Sequence, residues 1–120
     1  MSRPTKKAPP KRKLQFKEGV KHDEGKLRFD LLSPAANAGL AAVLTYGAQK
    51  YEDRNWEKGL NYSRVYAALQ RHLNAWWAGE EVDEESGLSH LDHAACCIHF
   101  LSHFDKMETG TDDRPCGCEE

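Results

Sequence analysis

The sequence predicts an all-α protein, a small helical bundle of three main helices that is expected to be completed by oligomerisation. Two segments carry the expectation. From Val65 to Ala78 the residues Val65, Ala68, Leu69, His72 and Trp76 share one helical arc, and from His90 onward so do His90, His93, Ala94, Cys97, Leu101 and Phe104. A third observation is negative: there is no strand-rich region, no internal repeat and no glycine loop of the P-loop type. Three helices in a chain of 120 residues bury little, so a partner's helices are expected to complete the core.

In chain order, residues 1–21 form a basic tail rich in proline and charge, expected to be disordered. Residues 22–106 are the all-α domain and residues 107–120 a flexible C-terminal tail. His22 to Leu32 alternates Leu27, Phe29 and Leu31 with Lys26, Arg28 and Asp30, so its apolar residues can pack on the helices while Lys26 and Arg28 meet an anion. Solvated charges on a structural lead-in fit the same pattern. Ser33-Pro34 starts a helix running to about Tyr51, with a hydroxyl at the cap and proline where the missing N–H is harmless. Gly47 within it costs about 1 kcal/mol against alanine, which close approach by a helix or ligand would offset. Glu52 to Leu60 is a polar connection in which Asn55 and Gly59 turn the chain and Trp56 either plugs the core edge or stacks on something flat. Asn61 or Ser63 caps the second helix, which ends at Gly79. Asp83, Glu84, Glu85 and Ser86 open the third, where acids favour the helix N-terminus.

Composition excludes several classes. No apolar run approaches the roughly 20 residues needed to span a bilayer, and no apolar segment follows the N-terminal basic residues as in a signal peptide. A cytoplasmic protein is expected, in the host cytoplasm if a phage encodes it. Cys96-Cys97 and Cys116-Gly117-Cys118 lack zinc-knuckle spacing and read as reduced thiols. The formal net charge of −2 hides an asymmetry: eight lysines and arginines from Arg3 to Lys21 face only Glu18, and the rest is acidic. The body is therefore no nucleic-acid-binding domain, although the tail offers weak contact to phosphate.

The chemistry concentrates between Arg71 and Phe104. His72, His90 and His93 point inward beside Glu80, Glu81, Asp83, Glu84 and Glu85, and such groups are costly to desolvate unless a cation or hydrogen bonds meet them. Histidines bonded within a core are one outcome; a metal site built across two helices is the other. Oxygen ligands with a few imidazoles suit Mg2+ or Mn2+. Lys26, Arg28, Lys50, Arg54 and Arg71 are available for phosphates, and Tyr51, Trp56, Trp76 and Trp77 for a flat base. Together they point to a nucleotide.

GKLRFDLL (Gly25–Leu32), YGAQKYEDRNW (Tyr46–Trp56) and RHLNAWWAGEEVDEESGLSHLDHA (Arg71–Ala94) resemble the phage-associated family of dATP/dGTP diphosphohydrolase N-terminal domains. The resemblance implies a phage or prophage protein of purine deoxynucleotide metabolism, related to MazG-like all-α pyrophosphohydrolases. Those are oligomeric bundles that use Mg2+ to split a nucleoside triphosphate into monophosphate and pyrophosphate. The chain departs from the MazG-like metal pattern: Lys50, Tyr51, Glu52 and Asp53 stand without its ExxE pair, and the third helix carries His90-Leu91-Asp92-His93.

The expected function is metal-dependent hydrolysis of purine deoxynucleoside triphosphates. Glu80, Asp83, Glu84, His90 and His93 are the candidate metal ligands, and His72 and Glu80 the catalytic candidates, His72 as a ligand or as the group orienting a base. Lys26, Arg28, Lys50, Tyr51, Arg54, Asn55, Trp56 and Arg71 are the candidates for substrate binding. A nucleotide-binding or regulatory module without turnover and a DNA-associated accessory protein acting through the basic tail are the alternatives.

Overall fold

The structure, a computed structural model, describes residues 18–116. The basic residues from Arg3 to Lys17, and Cys118, lie outside the described residues, and with them the expectations of a disordered tail and of nucleic-acid contact. Three α-helices follow one another, α1 (Pro34–Lys50), α2 (Tyr62–Trp77) and α3 (His90–Met107), with 3-10 turns at Phe29–Leu31 and Asn55–Lys58. Among the described residues there is no strand, only isolated bridges joining Asn61 to Thr111 and Val82 to Ser89. None of these helices is long and apolar enough to cross a membrane.

The core lies between α2 and α3. Val65 and Leu69 meet Ala94, Cys97 and Phe104, and Phe104 is fully enclosed. α1 packs on α3 as well, so α3 is covered from two sides. Adjacent residues on a helix point about 100° apart; Cys96 and Cys97 are therefore both buried, as thiols. Val43 is the one buried residue of α1.

Local chemistry explains most boundaries. The Ser33 hydroxyl accepts the Ala36 N–H at 3.1 Å, capping α1 as its sequence predicts. Trp56 stacks on Phe100 at 4.6 Å between ring centroids, with His99 and His103 on either side, so it plugs the open edge of the bundle. α2 ends in a Schellman motif: Gly79 takes φ 103°, its N–H donates to Trp76 O, and the Glu80 N–H donates to Ala75 O, both at 3.0 Å.

Several expectations are corrected. The close helix approach expected at Gly47 occurs at Gly39, where the Asp92 carboxyl of α3 lies in the space a β-carbon would fill; a β-carbon at Gly47 would meet nothing within 4 Å. α2 is capped by neither Asn61 nor Ser63 side chains. Asp113 instead accepts the backbone N–H of Ser63 at 2.8 Å and its hydroxyl proton. The segment after Met107, expected to fray, folds back along the start of α2, with Tyr62 N–H to Thr111 O at 2.9 Å and Thr111 N–H to Leu60 O at 3.1 Å. Trp76 is 37 % exposed because α3 begins opposite His72, leaving the last turn of α2 overhanging. Leu27, Phe29 and Leu31 face solvent instead of packing on the helices. The acids at 83–85 precede α3, which starts at His90 under a Ser89 cap.

Candidate functional site

The acidic segment is a closed loop. Asp83 N–H donates to Leu88 O at 2.8 Å, Gly87 N–H to Asp83 O at 2.7 Å, and His90 N–H to Glu81 O at 3.0 Å. Gly87 adopts φ 73°, a conformation glycine takes without steric cost, and this lets the loop turn back before helix α3. The Asp83 carboxylate accepts the Ser86 N–H at 2.9 Å, and the Ser86 hydroxyl meets His93 Nε2 at 2.7 Å. The loop thus sets Asp83 beside the histidines.

Those histidines form one cluster. His72 Nδ1 lies 2.9 Å from His90 Nδ1, and His90 Nε2 lies 2.8 Å from Glu80 Oε2. His93 stacks flat on His72, 4.5 Å between centroids. With His90 neutral, the bond to the carboxylate places its proton on Nε2, so Nδ1 carries a lone pair facing His72. One donor atom each from His72, Asp83 and His90 fall within 4.8 Å of one another. Burial first, then the neighbouring His93 and His90, hold the His72 pKa below the ordinary range. Burial also lowers that of His93, against the opposing pull of Asp83. Burial acts to raise the Asp83 pKa, but bonds from Ser86 and the histidines outweigh it and leave the carboxylate more acidic than usual. His72 and His93 are therefore held toward the neutral form and Asp83 toward the anion, the states that bind cations.

Beside it runs a cleft of about 1010 Å³ between α1, the Asn55–Lys58 turn, α2 and α3. Lys50, Arg54, Arg64 and Arg71 line it, with Tyr51 and Trp56 as flat surfaces. His93 belongs both to this wall and to the imidazole stack. Arg64 and Arg71 lie seven residues apart on one face of α2 and form no ion pair among the described residues.

The dATP/dGTP diphosphohydrolase, N-terminal, family profile matches residues 17–114, which include the cluster and every residue lining the cleft. The chain belongs to this family. The dATP/dGTP diphosphohydrolase of Salmonella phage PMBT28 is 35 % identical over 96 residues, 80 % of this chain and 33 % of that protein. The chain thus spans about a third of the length of this curated relative. No solved structure matches it.

Within this family domain the sequence-predicted residues divide. His72, Glu80, Asp83, His90 and His93 converge. Lys50, Tyr51, Arg54, Asn55, Trp56 and Arg71 line the cleft, although Lys50 is bonded to Glu85 at 2.7 Å and Arg54 to Glu57. Lys26 and Arg28 line neither; Arg28 holds Asp30 in a two-point ion pair. Glu84 is exposed and makes no hydrogen bond or ion pair among the described residues. Sequence reasoning missed Ser86, which joins Asp83 to His93, Tyr46, which donates to Glu85 at 2.8 Å, and Arg64. Only Arg64 had a readable signal, its heptad spacing from Arg71.

Proposed function

We propose that the chain binds a purine deoxynucleoside triphosphate in the cleft and, with a divalent ion held by the adjoining acidic loop and histidines, hydrolyses it to monophosphate and pyrophosphate. The observation that carries this reading is His93, a wall of the cationic cleft and part of the imidazole stack at once. Family membership and the name of the phage relative supply the substrate class.

Arg64 and Arg71 meet the phosphates, where two guanidinium forks give bidentate bonds, and Lys50 adds a third charge if the nucleotide draws it from Glu85. Tyr51, 60 % exposed, offers its ring to the base. A bound divalent ion supplies charge stabilisation at the phosphoryl oxygens and a more acidic water. His93 takes up the proton of a water on the cleft side, its imidazole kept neutral by burial and oriented by Ser86.

A second reading rests on the relative's length. Because the chain corresponds to a third of that protein, it serves as a nucleotide-binding module whose turnover depends on sequence elsewhere. Incubating the purified chain with each deoxynucleoside triphosphate and Mg2+ or Mn2+ separates the two. Pyrophosphate from dATP and dGTP supports hydrolysis; thermal stabilisation by nucleotide without product supports the module; neither response sinks both. Self-association is proposed to cover Leu27, Phe29 and Leu31, which are 81 %, 71 % and 71 % exposed, and sedimentation of the whole chain tests it.

A further inference from the structure

We propose that His72 and His90, both through Nδ1, and Asp83 through its carboxylate hold a first-row transition-metal ion, Mn2+ or Zn2+ in preference to Mg2+, with Glu80 as the positioning residue for His90. The inference deepens the reading above by naming its ion and rests on it only for the use made of that ion.

Distance is the first support. Two donor atoms on one ion with bonds of about 2.0–2.1 Å lie roughly 2.9–3.4 Å apart, and the His72 and His90 Nδ1 atoms lie 2.9 Å apart. A pair of imidazole nitrogens this close shares either a proton or a cation. Asp83 contributes an oxygen within 4.8 Å of the other two donors.

The surroundings favour the cation. In neutral His90 the Nε2–H donates to Glu80 Oε2 at 2.8 Å, which leaves Nδ1 as the lone-pair atom. Carboxylates behind metal-bound histidines act in this way. Glu80 therefore orients a ligand; it is not itself one. His90 is only 4 % exposed, so its ring is fixed. It is also the first residue of α3, where the helix dipole opposes a positive charge. Asp83 and Glu80 counter that opposition, and Glu81 and Glu84 add negative charge in the same loop.

The donor set decides the class of ion. Mg2+ favours oxygen ligands and keeps its waters, whereas two imidazoles and one carboxylate suit Mn2+, Fe2+ or Zn2+. Three protein donors leave positions open to water or phosphate oxygen.

The test uses the whole chain, stripped with chelator and dialysed against MnCl2, ZnCl2 or MgCl2, with retained metal measured after washing. Wild type is expected to retain about one equivalent of Mn2+ or Zn2+ and no Mg2+. His72→Ala and Asp83→Asn, checked for native helicity, are expected to lose it. Both avoid truncating the buried His90. Glu80→Gln is expected to weaken retention about 10–100-fold and to shift the visible spectrum of bound Co2+, a change a purely structural role would not produce. Wild type retaining none of the three ions, retention of Mg2+ equal to that of Mn2+ and Zn2+, or retention unchanged in both His72→Ala and Asp83→Asn, overturns the site. Pyrophosphate release is followed in parallel. His72-dependent metal without release sinks hydrolysis and leaves the site standing; release on Mg2+ alone, equal in His72→Ala, does the reverse.

Discussion

Lys50, the last residue of α1, and Glu85, in the acidic loop before α3, form an ion pair of 2.7 Å across thirty-five residues of chain. The Tyr46 hydroxyl donates to the same carboxylate oxygen at 2.8 Å. Lys50 and Tyr46 lower the Glu85 pKa, and the bond to Glu85 raises that of Lys50. Glu85 is thereby engaged with α1 and not with the histidines. Nucleotide phosphate has to compete with it for Lys50.

Glu85→Gln is therefore expected to strengthen phosphate binding. Isothermal titration with dATP should show a few-fold tighter complex at low salt, and the gain should shrink at high salt as charges are screened. Thermal stability should change little, since exposed ion pairs contribute little. Weaker binding in the variant would mean that Lys50 and Glu85 act as one unit in holding the ligand.

Asp113 caps α2 from the far end of the domain. The Ser63 hydroxyl and N–H lower its pKa, so its contribution to stability is complete above the unfolded value of about 3.9 and is lost as pH falls through the lower folded value. Asp113→Ala should lower the melting temperature by a few degrees at pH 7, and wild type and variant should converge as pH falls below the unfolded value. Equal melting temperatures at pH 7 would show that the fold-back is held by Thr111 alone.

Three helices, the Ser33 cap and the inward faces around Leu69 and Phe104 were legible because helical periodicity and capping are local properties of sequence. Convergence of His72 with His90 and His93 was legible for the same reason. The loop from Glu80 to Ser89 was not, because acids before a helix fit a dipole interaction equally well. Its closure depends on Gly87 at positive φ and on Asp83 bonding to Ser86, which no periodic pattern announces. The end after Met107 was misread because a polar, glycine-containing segment looks the same whether or not a distant N–H donates to one of its carboxylates, as Ser63 does to Asp113. Exposure of Phe29 and Leu31 was equally hidden, since alternation shows that one face can be buried without showing against what.

Burial pushes the Cys96 thiol up to about 12 and raises that of Cys97 as well. Neither should react with iodoacetamide in the native protein at pH 8, and both should be labelled in guanidinium, as read by peptide mass spectrometry. The unfolded chain releases these protons near the ordinary value of about 8.5. The folded protein retains them, so stability should fall as pH rises above that value. Rapid native labelling of Cys97 would indicate that α2 opens from α3.

Arg64 and Arg71 separate the cleft from a merely structural depression. Both are exposed, lie on one face of α2 and form no ion pair among the described residues, so neither holds the fold together by charge. Arg71→Ala and Arg64→Ala should each leave the melting temperature almost unchanged. Each should weaken nucleotide binding by about tenfold or more, as expected for loss of hydrogen bonds to a charged group. Arg71→Lys should recover only part of the loss, because an ammonium keeps the charge without the two-point fork. Calorimetry on dATP, deoxyadenosine monophosphate and deoxyadenosine then tells which part of the ligand the arginines meet. The deficit should be largest for the triphosphate and vanish for the nucleoside; an equal deficit for all three would place the base, not the phosphates, against α2.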